Sequence, residues 1–134
     1  MRMYSPIKTP IRIGLIGCGG IVQQAHLPAL RILSDMELVH VTALADPMIS
    51  NLNAVDNQIS VPQKHHYTDY RQMLDRSDLD LVIIATPHHL HAQQSIEALS
   101  AQVSVICEKP MATNLDDADQ ILSIADKNGL PYTV

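Results

Sequence analysis

Short apolar runs alternate with longer amphipathic stretches along the chain. Residues 11–16 (IRIGLI) read as a buried strand ending at Gly17. From residue 19 to about 33, Ile21, Ala25, Leu27, Leu30 and Leu33 fall at helical spacing. Residues 37–45 (ELVHVTALA) predict a second strand. Pro47 suits a first helical turn and opens a helix to about residue 58. Residues 65–67 predict a short third strand, with Thr68 as N-cap of a helix carrying Tyr70, Met73 and Leu74. The continuous apolar run 79–85 (LDLVIIA) suits a strand covered on both faces. A helix over 89–101 and a strand over 103–107 follow. Asn114, with Asp117 three residues on, is a capping-box-like start for a helix to Asn128. Gly129 fits its C′ position, and residues 130–134 begin a last strand.

Strand and helix in strict alternation mean parallel strands joined by right-handed crossovers. The predicted fold is α/β, one doubly wound parallel sheet in the order 3-2-1-4-5-6, with residues 1–134 forming a single domain. In such a sheet ligands sit beyond the carboxyl ends of the strands, where the order reverses.

Composition narrows the picture. The chain has 134 residues, 46% of them hydrophobic and 17% charged, so it can build a core. That core must be aliphatic, because Trp and Phe are absent and Tyr occurs 4 times. A net charge of -5 argues against a sequence-independent grip on nucleic acid. No apolar run reaches membrane-spanning length, and the first residues carry no apolar signal-peptide core. Cys18 and Cys107 form no CxxC pair, so a reduced, cytoplasmic protein is expected.

The strand ends carry the candidate chemistry. After strand 1 stands Gly17-Cys18-Gly19-Gly20-Ile21-Val22. Gly17 permits a tight turn, Gly19 lets backbone approach a pyrophosphate, and the following helix offers unpaired N–H groups to that anion. A GxG pair is also found in plain turns, and Val22 stands where Gly or Ala is usual. Asp46 follows strand 2, where an acid receives the hydroxyls of an adenosine ribose; it also suits a helix N-cap. No Arg or Lys stands nearby in sequence to neutralise a 2′-phosphate, which favours NAD over NADP. Thr86-Pro87-His88-His89-Leu90-His91 follows strand 4. No Cys or carboxylate adjoins these histidines, so no metal is expected. Glu108-Lys109-Pro110 follows strand 5. It reads as a surface ion pair, or as an acid–base site if burial lowers the pKa of Lys109.

Together these residues resemble the nucleotide-binding half of the Gfo/Idh/MocA oxidoreductases. The likeness lies in GLIGCGGIVQQAHLPAL (14–30), ALADP (43–47), YTDYRQML (67–74), LVIIATPHHLHAQQSIEAL (81–99) and VICEKPMATNLDDADQIL (105–122). The resemblance implies a Rossmann domain that exchanges hydride between NAD(P) and a sugar or polyol carbon. It places Gly17, Cys18, Gly19, Gly20, Ile21 and Val22 at the pyrophosphate and Asp46 at the adenosine ribose. Thr86, Pro87, His88 and His91 would wrap the nicotinamide, and Glu108 would contact its ribose. Lys109 would be the catalytic residue, beside the reacting carbon, and the bond to Pro110 would be cis. Position 88 is often Asn in the family, and Gln102 stands where a helix-ending Gly is common.

The resemblance also implies a C-terminal α/β domain that brings most substrate contacts, and its absence from the 134 residues suggests a truncated form. Such a chain would bind NAD, turn over little alone and self-associate. A non-catalytic NAD-binding or regulatory module is the alternative. A SAM-dependent methyltransferase fits poorly, having no place for TPxxxH or EKP, and a P-loop is excluded by the lack of GK[ST].

Overall fold

The computed structural model describes residues 8–134. One six-stranded sheet runs in the order β3-β2-β1-β4-β5-β6, with every pair parallel. The strands are β1 (Ile11–Ile16), β2 (Val39–Ala45), β3 (His66–Tyr67), β4 (Leu81–Ile84), β5 (Ser104–Cys107) and β6 (Tyr132–Thr133). The helices are α1 (Leu27–Asp35), α2 (Ile49–Ile59), α3 (Tyr70–Arg76), α4 (His91–Ser100) and α5 (Leu115–Asn128). This is the doubly wound order expected from the alternation of elements.

Two hydrophobic layers sandwich the sheet. Ile13, Leu15 and Ile83 pack with Leu27, Leu30, Leu52 and Val55 of α1 and α2. Ile16, Val82, Ile84 and Val105 pack with Met73, Leu99 and Ile121 of α3, α4 and α5. Neighbours in a strand therefore serve opposite layers, which is why β4 reads as continuously apolar.

Several boundaries differ from expectation. The first helix opens as a π-helical turn, Val22–His26, in which Leu27 N–H donates to the Val22 carbonyl. Pro28 explains it: without an N–H, and with a ring that crowds the carbonyl four residues back, Pro28 disfavours a tight α-turn there. α2 starts at Ile49, with Met48 as N-cap, so Pro47 does not begin a helix. Asp69, not Thr68, caps α3, accepting from Arg71 N–H at 2.9 Å. α4 is preceded by a 3-10 turn, His88–Leu90. Asn114 caps α5 as expected, accepting from Asp117 N–H at 2.8 Å while its amide donates to the Asp117 carboxylate at 2.7 Å. Gly129 ends that helix at φ 65, and Gln102 adopts φ 64. The latter conformation costs about 1 kcal/mol relative to Gly.

Among the described residues no helix is long and apolar enough to cross a membrane.

Candidate functional site

The carboxyl ends of β1, β2 and β4 enclose a cavity of about 600 Å3. It lies where the strand order reverses, the position at which open parallel sheets bind ligands. Gly17, Gly19, Asp46, Thr86 and Pro87 line it.

Gly17 makes the turn out of β1. Its φ is 92, and a Cβ would lie 2.5 Å from the Ala85 carbonyl oxygen. Only glycine fits this close passage between β1 and β4. At Gly19 and Gly20 the opposite holds: an added Cβ would meet nothing within 4 Å. Open space therefore stands over the start of the first helix, whose leading N–H groups have no intrahelical partner. Such an end attracts anions.

Cys18 stands between these glycines. Its thiol is buried, and burial together with the Asp46 charge pushes its pKa up to about 12. It is an inert packing group, not a reactive one. Its N–H donates to Asp46 Oδ2 at 2.9 Å. Asp46 Oδ1 accepts from Met48 N–H at 2.8 Å, and Oδ2 also accepts from the Asn51 amide at 3.1 Å. Asp46 thus closes a turn onto Met48 and braces the glycine loop rather than capping α2. It is 7% exposed and makes no ion pair with a cation among the described residues. Three donors on a carboxylate leave about one acceptor site free.

The Val22 side chain belongs to the core, while Ile21 is half exposed. His91 is fully buried. Its Nδ1 lies 2.7 Å from the Pro110 carbonyl oxygen and its Nε2 lies 2.8 Å from that of Thr86. It ties the end of β4 to the loop after β5, so it is a brace within the site. His88 and His89 are exposed. No group of three or more His, Cys, Asp or Glu among the described residues is arranged to hold a metal ion. Lys109 is exposed, so the buried setting that an acid–base site would need is not found, and its bond to Pro110 is cis.

Three further contacts shape the site. His26, the last residue of the π-helical turn, lies with Nε2 2.8 Å from Glu108 Oε1, joining the first helix to the end of β5. Thr86 donates to buried Gln94. Tyr70 donates to Glu97 at 2.7 Å, and the Arg71 guanidinium, 4.8 Å from the Tyr70 ring centre, pairs with the same carboxylate at 3.0 Å. Burial pushes Glu97 up, but hydrogen bonds from Tyr70, Gln93 and Arg71 outweigh it and hold its pKa below the ordinary value. Tyr70 and Arg71 line the cavity together with Asp46. Sequence signals existed for His26 and Tyr70, which stand inside the stretches 14–30 and 67–74, but nothing local indicates their partners.

Solved structures and relatives match this arrangement. The WlbA dehydrogenase of Chromobacterium violaceum, solved with NADH and UDP-GlcNAcA, is 32% identical with a TM-score of 0.86, over 98% of this chain and 37% of that one. A 3-ketoreductase from Actinomadura kijaniata, solved with NADP and TDP-benzene, is 32% identical with a TM-score of 0.79, over 90% and 35%. Inositol 2-dehydrogenase of Salmonella typhimurium is 29% identical over 119 residues, 89% of this chain and 34% of the relative. The chain thus spans about a third of the length of the proteins it matches. Residues 11–134 fit the family model of oxidoreductases with an NAD-binding Rossmann fold, and the chain belongs to this Gfo/Idh/MocA family.

Proposed function

We propose that the chain holds NAD for hydride exchange with a sugar or polyol carbon. The observation that carries this reading is the open space above Gly19 and Gly20 at the turn from β1 into the first helix, beside buried Asp46. The pyrophosphate lies against the helix start, where dipole and N–H groups favour an anion. Asp46 accepts one ribose hydroxyl through its remaining site; receiving both requires the Asn51 amide to turn away. A 2′-phosphate would meet the Asp46 charge, and Arg71 is held by Glu97, so NAD is favoured over NADP.

When bound, nicotinamide accepts or supplies the hydride. The chain's own residues orient and polarise. Glu108, held by His26, receives a hydroxyl of the nicotinamide ribose. Lys109, exposed just beyond the end of β5, donates to the oxygen of the reacting carbon. Substrate must be held at near-attack distance, and a substrate-binding domain is expected to supply that grip. The bound UDP-sugar of the WlbA dehydrogenase and the inositol substrate named for the Salmonella enzyme support a sugar or polyol as the class. Self-association belongs to the same reading. Leu115, Leu122 and Val134 are exposed, and among the described residues β6 forms one edge of the sheet. A clean monomer by light scattering at high concentration would count against it.

Competitive titration tests the cofactor assignment. NADH should bind at least tenfold more tightly than NADPH, and equal affinities would remove the role given to Asp46. Lys109→Met should leave NADH affinity within twofold of the parent, while abolishing hydride transfer once a substrate-binding domain is supplied.

A further inference from the structure

The cavity lined by Asp46 and the glycine turn continues along the start of α3 and the first turn of α4. Glu108 and Lys109, the residues given to the nicotinamide end, do not line it. The space past Asp46 therefore belongs to whatever hangs from the ribose held there. Pro47, Met48 and Leu90 give it apolar surface, which suits the flat faces of a heteroaromatic base. Such a base also has a polar edge, and burying that edge without partners is costly.

One side chain is placed to meet that edge. Gln94 is 3% exposed and lines the cavity. Its Oε1 accepts from the Thr86 hydroxyl, which sets the orientation of the amide. Its Nε2 carries two N–H groups, and neither finds an acceptor among the described residues. The side-chain atoms that are both unpartnered and closed off from water are Thr42 Oγ1 and His65 Nδ1, so Gln94 Nε2 stays within reach of the cavity. A buried donor without a protein partner marks a place that something else completes. The other amides on this wall are engaged: Asn51 donates to Asp46 and Gln93 to Glu97, as Tyr70 does.

We propose that Gln94 selects the base of the dinucleotide and that this base is adenine, an assignment that rests on the dinucleotide reading above. Nε2 donates to a ring nitrogen. Oε1 has spent one of its two lone pairs on Thr86 and accepts from the exocyclic amino group with the other. The same two-point pairing lets a glutamine amide read adenine in a nucleic-acid groove. Hypoxanthine carries a carbonyl oxygen in place of the amino group, and would set it against Oε1. Thr86 is the positioning residue, because its hydroxyl holds the amide in the orientation that matches adenine.

The test compares NADH with reduced nicotinamide hypoxanthine dinucleotide by calorimetry on the full chain. NADH should bind at least tenfold more tightly, the scale of one two-point base contact. Gln94→Leu should weaken NADH at least tenfold and bring the two dinucleotides within twofold of each other. A loss of packing alone would weaken both and leave their ratio unchanged. The comparison on the parent needs no substitution, so the proposal stays open to failure even if Gln94→Leu is unstable. NADH binding without a preference for adenine, or with a preference that survives Gln94→Leu, overturns the role of Gln94 and leaves the dinucleotide reading in place. If neither dinucleotide binds the parent, both fall.

Discussion

Two carboxylates stand at opposite ends of β1, and each receives a backbone N–H from that neighbourhood. At the start, Asp80 accepts from Arg12 N–H at 2.8 Å and is also clasped by the Arg12 guanidinium, at 2.9 and 2.7 Å. Those hydrogen bonds hold its pKa down at about 2. At the far end, Asp46 accepts from Cys18 N–H, but it is buried and no cation answers it. A carboxylate taken out of water without a counter-ion is an expensive feature to keep for stability alone. The first acid has its counter-charge and fastens β1 to β4. The second braces a glycine loop and keeps acceptor capacity facing open space.

Gly17→Ala should break the second arrangement most severely. It combines a left-handed φ with a backbone clash, and should cost about 3 kcal/mol in chemical denaturation. Asp46→Ala should come next. It strands the Cys18 and Met48 N–H groups, costs about 1–3 kcal/mol, and weakens NADH at least tenfold by calorimetry. An unchanged affinity would remove the contrast between the two acids. His26→Ala releases Glu108, and should weaken NADH about threefold to tenfold, as for one hydrogen bond. If affinity is unmoved, the π-helical turn serves packing alone. Asp80→Asn should have the smallest effect, about 1 kcal/mol or less, because the pair is partly solvated. The sign follows from a folded pKa below the usual 3.8. The stabilisation is complete above that value and is lost as pH falls toward about 2. Urea midpoints of parent and variant should therefore converge over that range.

The sheet order was legible because aliphatic strands buried on both faces leave a continuous pattern, and because Asn114 and Gly129 carry local cap chemistry. The glycine turn was legible for the same local reason. What escaped depends on partners distant in sequence. Asp46 reads as a helix cap until Cys18, 28 residues away, supplies its donor. For His91, the sequence does not show that the carbonyls of Thr86 and Pro110 engage both its nitrogens. Thr68 and Asp69 are both competent caps, and only the backbone direction after β3 selects Asp69. The π-helical turn follows from Pro28, but its consequence, His26 against Glu108, spans 82 residues.

The central claim is that the space above the glycine loop is kept for a diphosphate. Gly19→Val tests it most directly, because a Cβ there meets no heavy atom within 4 Å beyond its own chain neighbours. Calorimetric titration should give saturable NADH binding to the parent and at least a hundredfold weaker binding to Gly19→Val, with matching denaturation midpoints. Equal NADH affinity in the two proteins would contradict the account.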